Sequence, residues 1–220
     1  MFARELVTEG IMPVDNNDSG ESAILRMHEY NVNQLPVTDE DKYIGIISLD
    51  EIVSLKKLSD PVRDIQSTLR RPYVHDYTHL FEVMKTAMEY NVKVVPVLNK
   101  DEKYIGVITA ESCLRAFAKL QSVTSEGGII MLSVPVKDFQ LSEIARIVES
   151  NNANILAFYS QIDAETAIMD ITLKVNTTEL SAIISSFERY EYEVKGVYKD
   201  ENYDEEVKDR YDALMRYLDV

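Results

Sequence analysis

Two stretches of this chain place a glycine, a hydroxyl and a further polar side chain at the same three-residue steps: Gly45, Ser48 and Glu51, then Gly106, Thr109 and Ser112. A glycine lets the backbone pass close to a ligand or to a neighbouring strand. A hydroxyl at a strand end can donate to or accept from an oxygen-rich partner, and a carboxylate can accept from sugar hydroxyls. The same residues also have a purely structural use. Ser48 or Thr109 can cap a helix that starts just after it, and Ser48 followed three residues later by Glu51 has the form of a capping box. Asp50 and Glu111 stand one residue earlier than Glu51 and Ser112, which on a helix turns them away by about 100°.

Other candidate groups are fewer. Arg70 and Arg71 precede Pro72, and a guanidinium matches phosphate oxygens well, although such a pair is often simply solvated. His75 and His79 have helical i, i+4 spacing but neither a thiol nor the HExxH pattern that would make a zinc site specific. Cys113 is the only cysteine. It excludes an intramolecular disulfide and reads as a core residue among Leu114 and Phe117. No nucleophile, base or metal set has a group positioned to orient it, and seven glycines leave little room for a phosphate-cradling loop, so catalysis is not expected.

The elements that hold the two polar sets are themselves repeated. Glu29-Tyr30-Asn31-Val32, followed by Leu35-Pro36-Val37, recurs as Glu89-Tyr90-Asn91-Val92 followed by Val95-Pro96-Val97. Lys42-Tyr43-Ile44-Gly45-Ile46-Ile47-Ser48 recurs as Lys103-Tyr104-Ile105-Gly106-Val107-Ile108-Thr109. The offset grows from 60 to 61 through one residue added in the polar turn between the blocks. A repeat of this length decides the architecture. In each copy a helix (22–30, 80–90) ends at a Tyr-Asn pair. A β-branched run (34–37, 93–98), a polar turn (38–42, 99–103) and a second apolar run (43–48, 104–109) then form a hairpin, and another helix follows.

This doubled order of helix, strand, turn, strand, helix resembles the CBS domain, whose copies associate as a CBS pair or Bateman module, over roughly residues 1–122. The two Pro-Val steps and the runs Gly45-Ile46-Ile47-Ser48 and Gly106-Val107-Ile108-Thr109 carry the resemblance. It implies that adenosine-containing ligands such as AMP, ADP or ATP enter clefts between the repeats as regulatory ligands, with no cofactor required. The family's Gly-x-x-Thr/Ser-x-x-Asp motif maps onto Gly45, Ser48 and Glu51 and onto Gly106, Thr109 and Ser112. Leu35, Pro36, Val95 and Pro96 would flank the adenine ring. Neither copy has the motif's aspartate.

Residues 123–127, with Ser125-Glu126-Gly127, form a turn-rich linker. Beyond it, 128–134 reads as a strand, 141–150 as a helix with Leu141, Ile144, Ala145 and Val148 on one face, and 154–160 and 167–175 as two strands. A helix capped by Thr177 or Thr178 runs to about Arg189 with Leu180, Ile183, Ile184 and Phe187 inward, and a last strand spans 191–198. The β-α-β-β-α-β order is ferredoxin-like. After a CBS pair it resembles the ACT-like domain (128–200) of the acetoin-utilisation AcuB group. The loop 136–140 lacks the glycine with which ACT domains often bind amino acids, and Phe139 is expected to pack over it. Oligomerisation, as a homodimer or higher homo-oligomer, is therefore the expected role. Val207, Tyr211, Leu214, Met215 and Leu218 suggest an amphipathic helix in 201–220.

Composition sets the outer limits. With 220 residues, 45% of them apolar and 28% charged, the chain has enough core for one or two domains, giving an α/β (α+β) protein. A net charge of -15 argues against nucleic acid, whose binding needs Lys and Arg to release counterions. No apolar run approaches a membrane span, and Met1 to Glu9 lacks the features of a signal peptide, so a cytoplasmic regulatory protein acting on a target protein is expected.

Overall fold

A computed structural model describes residues 1–199, which form two compact units, Met1–Phe117 and a second beginning at Ala118. The helix expected in 201–220 lies outside the described residues. No helix among them is long and apolar enough to cross a membrane.

The first unit contains both copies of the repeat. Copy one comprises β1 (Val14–Asp15), α1 (Gly20–Glu29), β2 (Gln34–Asp39), β3 (Lys42–Ser48) and α2 (Leu49–Val53). Copy two comprises β4 (Val74–His75), α3 (Leu80–Glu89), β5 (Val94–Leu98), β6 (Tyr104–Thr109) and α4 (Ala110–Leu120), the last reaching into the second unit's residues. Each copy builds a three-stranded sheet, β1-β2-β3 or β4-β5-β6, with a parallel outer pair and an antiparallel hairpin. The starts and stops of the helices follow from local chemistry. Ser19 accepts from the Ser22 amide at 3.2 Å, and His79 Nδ1 accepts from the Phe81 amide at 3.3 Å. After α1 and α3 the chain turns through Asn31 (φ 52°) and Asn91 (φ 50°), a left-handed exit that asparagine tolerates.

The two-residue strands β1 and β4 carry no legible period and are an addition to the expected order. They explain why Pro36 and Pro96 fit inside strands. β1 pairs only with Val37 and Thr38, and β4 only with Val97 and Leu98, so no ladder partner lies beside the prolines on that side.

Each copy's core is completed by chain from outside its own hairpin. Ala3 and Leu6, from the start of the chain, join Val83, Val95 and Ile108 in the core of copy two. Val62, Ile65 and Leu69, from the connection between the copies, join Leu35, Ile47 and Ile52 in copy one. Backbone bonds fix this exchange. Thr8 N donates to Val107 O at 2.8 Å and Ala3 N to Thr78 O at 2.8 Å, while Ile46 N donates to Arg70 O at 2.9 Å and Val62 N to Asp18 O at 2.9 Å. The hairpin turns of the two copies also meet through a Lys42–Lys103 bridge and a 2.9 Å ion pair between Lys103 Nζ and Asp41 Oδ2.

The second unit holds β7 (Gly128–Pro135), α5 (Leu141–Ser150), β8 (Ile155–Asp163), β9 (Ile168–Val175), α6 (Ser181–Arg189) and β10 (Glu193–Lys199). Its antiparallel sheet has the order β10-β7-β9-β8, so the β-α-β-β-α-β ferredoxin-like fold stands. Ile130, Leu132, Ile171 and Leu173 pack under Ile144, Val148, Ile183 and Phe187. Two expectations are corrected. Ile147 is buried in α5, whereas Leu141 is exposed at the first turn. α6 begins at Ser181 because Thr177 caps only a turn, accepting from the Glu179 amide at 3.1 Å, and Leu180, fully buried, precedes the helix. Phe139 packs against Phe158 with ring centroids 6.2 Å apart.

Candidate functional site

The first polar set opens onto a cleft of about 370 Å³ within the first unit. Asn33, Gln34, Ser48, Leu49, Asp50, Glu51 and Arg70 line it together with Asn91 and Lys93 of copy two. Its volume falls in the range of small-molecule sites. Eight of the nine lining residues are polar or charged.

Each element contributes by its end. β3 stops at Ser48, where α2 begins, and β2 starts at Gln34, directly opposite Ser48 in the ladder. Gln34 is buried, and its Oε1 accepts from the Lys93 amide at 3.0 Å, tying the two copies together beside the cleft. Arg70 is brought in by the bridge to Ile46. Its Nη1 donates to the Tyr90 carbonyl at 2.8 Å. Neither Arg70 nor Lys93 has an ion-pair partner among the described residues, and the Asp50 carboxylate has no hydrogen bond among them. The cleft therefore gathers two cationic residues, Arg70 and Lys93, and two acidic ones, Asp50 and Glu51.

The close approach expected of the two glycines is to neighbouring chain. A Cβ on Gly45 would stand 2.8 Å from the Arg70 carbonyl oxygen and 2.8 Å from Leu69 Cβ. One on Gly106, whose φ is +149°, would stand 2.5 Å from Val7 Cγ1. Both glycines thus admit the exchanged segments.

Glu51 folds back on its own helix start. Its Oε2 accepts from the Ser48 amide at 2.8 Å and from the Ser48 hydroxyl. In copy two the hydroxyls satisfy one another. Thr109 Oγ1 accepts from the Ser112 amide at 3.0 Å and donates to Ser112 Oγ at 3.1 Å, which also bonds Thr8 Oγ1 at 2.8 Å. The structure places Leu35, Pro36, Val95 and Pro96 in the cores, and the cleft wall is polar where an apolar flank for a ring was expected. The reason is that β2 and β5 are middle strands covered on both faces, so their apolar residues are interior on either side.

Arg71 points elsewhere. Its Nη2 donates to the Tyr43 carbonyl at 3.0 Å, and its guanidinium lies over the Tyr43 ring. His79 caps α3, and His75 stacks on Tyr77 with its Nε2 3.6 Å from Glu102 Oε1. Cys113 is buried, and burial pushes its thiol pKa up, away from reactivity. Sequence reasoning missed Asn33, Gln34, Asn91 and Lys93. A signal existed at Gln34, a polar residue opening a strand whose counterpart in copy two opens with Val94.

Comparison with known proteins agrees with this architecture. The inosine-5'-monophosphate dehydrogenase of Methanocaldococcus jannaschii is 22% identical over 149 residues, covering 67% of this chain and 30% of that protein. The L-aspartate semialdehyde sulfurtransferase of the same organism is 26% identical over 119 residues, covering 53% of this chain and 23% of that protein. The chain thus spans less than a third of the length of these two relatives. Among solved structures, a CBS domain pair/ACT domain protein from Thermotoga maritima aligns with a TM-score of 0.50 at 21% identity, covering 54% of this chain and 98% of that one. The CBS domain family matches residues 3–57 and 62–119, just over half of the sequence and the same two copies that the sheets define: the chain belongs to the CBS domain family and carries the domain twice.

Proposed function

We propose that this protein is a non-catalytic sensor of an adenosine-containing ligand, with AMP, ADP and ATP as the leading candidates, and that the first cleft is its binding site. The observation that carries this reading is the grouping of Ser48, Arg70, Lys93 and Asp50 around one cavity. A guanidinium and an ammonium can hold phosphate oxygens while a carboxylate accepts from ribose hydroxyls. Ligand in the cleft touches copy one through Ser48 and copy two through Asn91 and Lys93, so it favours one arrangement of the pair to the extent that its affinity differs between arrangements. The second, ferredoxin-like unit serves as an ACT-like oligomerisation or output domain, and the protein acts in the cytoplasm on a partner protein. A link to acetoin utilisation follows from the resemblance of the second unit alone.

A second reading is a dimeric interaction scaffold whose clefts take no nucleotide. The hydroxyls of Thr8, Thr109 and Ser112, already bonded to one another, favour it for copy two.

The test is thermal unfolding of the full chain with and without millimolar AMP, ADP, ATP, NAD, S-adenosylmethionine and cyclic di-AMP, in the wild type and in Ser48→Ala. Ligand at 100 times its dissociation constant stabilises the folded state by about 2.7 kcal/mol. A shift with an adenosyl ligand, diminished in the variant, supports the sensor. Absence of any shift supports the scaffold.

A further inference from the structure

The acidic residue of the first copy is turned onto the group that a ligand would need. One oxygen of Glu51 accepts from both the amide and the hydroxyl of Ser48. Both residues line the cleft and both are half-buried. No cation forms an ion pair with Glu51 among the described residues, and the Arg70 guanidinium bonds the Tyr90 carbonyl at 2.8 Å. The carboxylate therefore joins that of Asp50 in placing negative charge on the wall of a cleft whose two cations suit an anion. At the matching place in copy two stands Ser112, which carries no charge.

We propose that Glu51 is a built-in competitor for the first cleft: its carboxylate holds the Ser48 hydroxyl, and a phosphate-bearing ligand binds only by displacing it. This rests on the nucleotide reading above and adds a regulatory element to it. The ligand's oxygen and the carboxylate seek the same donor, so the apparent affinity is the intrinsic affinity multiplied by the fraction of molecules in which Glu51 has left Ser48. Like charge repels as well, and the effect grows with the number of phosphates on the ligand. The role is opposite in sign to that of a residue that grips the ligand.

Removing the side chain therefore decides between the two. Binding of AMP and of ATP to the full chain is measured by calorimetry for the wild type, Glu51→Ala and Glu51→Gln, with circular dichroism of each unliganded variant as the control for folding. The expected result is tighter binding to Glu51→Ala by about tenfold, equal to about 1.4 kcal/mol, with a larger gain for ATP than for AMP. Glu51→Gln keeps an acceptor on the same stem and removes only the charge. It should gain severalfold for ATP, and it carries the test if Glu51→Ala does not fold. Weaker or unchanged binding in the folded variants overturns the competitor and leaves the nucleotide site standing. Absence of binding in the wild type and in both variants overturns the nucleotide reading itself.

Discussion

Thr8 Oγ1 and Ser112 Oγ lie 2.8 Å apart across 104 residues of sequence, joining the first turn of the chain to the helix that closes the second copy. Ser112 also receives the Thr109 hydroxyl at 3.1 Å, so the three hydroxyls form one chain of bonds at the end of β6. Thr8 occupies the place that Arg70 takes in copy one, each preceding residue abutting the motif glycine of its sheet. A cationic side chain at this place in copy one and a short hydroxyl in copy two make the two halves chemically unequal despite their common fold.

Removal of that link should loosen the N-terminal segment. Thr8→Val keeps the side-chain volume and loses the hydroxyl, and an average hydrogen bond contributes about 1 kcal/mol. Thr8→Val and Ser112→Ala should each lower the melting temperature by a few degrees, and the double variant should fall short of the sum of the two. Strict additivity in that cycle would mean the bond contributes nothing.

The two motif glycines should fail in different ways when replaced by alanine. Gly106→Ala meets a side chain, Val7, and also needs a left-handed φ of +149°. Gly45→Ala meets the Arg70 carbonyl, which cannot move away without breaking its bond from Ile46. Each should destabilise the protein by roughly 1–3 kcal/mol. Trimming Val7 to alanine should return part of the loss at Gly106, whereas trimming Leu69 should not restore Gly45→Ala. Denaturant unfolding midpoints of the singles and pairs provide the comparison.

The repeat made most of this architecture legible. Matching blocks at offsets of 60 and 61 located α1 and α3, both hairpins and the helices after them, and the Tyr-Asn pairs marked where the helices stop. The capping role of Glu51 could also be read from Ser48 three residues earlier. The exchange of segments could not: Ala3-Arg4-Glu5-Leu6 and Val62-Arg63-Asp64-Ile65 share an order of apolar, Arg, acidic and apolar residues, but so short a match does not say which copy each segment joins, and the backbone bonds that fix the choice leave no trace in residue types. For the same reason the two-residue strands at Val14 and Val74 were invisible. Leu35 and Val95 illustrate a different limit. A short apolar run in a strand looks the same whether it lines a cleft or fills a core, and only the two-sided burial of β2 and β5 separates these cases.

Three tyrosines give the protein an alkaline limit. Burial raises the pKa of Tyr43, against the opposing charge of Arg71, and burial raises that of Tyr104. Burial, assisted by the bond from the Tyr192 hydroxyl to Glu143, pushes Tyr192 up to about 12. In the unfolded chain these phenols lose their protons near pH 10. The folded state thus holds protons that the unfolded state has released, so this contribution is fully present below about pH 10 and falls as pH rises toward the folded values. Tyrosinate absorbance should reveal a group of phenols titrating only together with loss of circular dichroism. Tyr43→Phe, which strips the Pro72 carbonyl of its 2.8 Å donor, should remove part of the pH dependence. Normal titration of all the phenols in a folded protein would contradict this account.

Val53 and Leu114 are equivalent positions, on the helix that follows the second hairpin strand of each copy, and they remain 78% and 67% exposed. Leu25 and Met88, on α1 and α3, are also open to solvent. Large apolar side chains on matching helices are costly to leave in water, and a two-fold assembly would cover like surfaces with like. Sedimentation velocity of the full chain should therefore give a dimer or larger species. Paired Val53→Asp and Leu114→Asp substitutions should shift it toward monomer without lowering the unfolding temperature of the separated chains, because neither side chain contributes to a core. A dimer that survives both charges would place the contact on the ferredoxin-like unit, and a monomeric wild type would remove the oligomer from the proposed function.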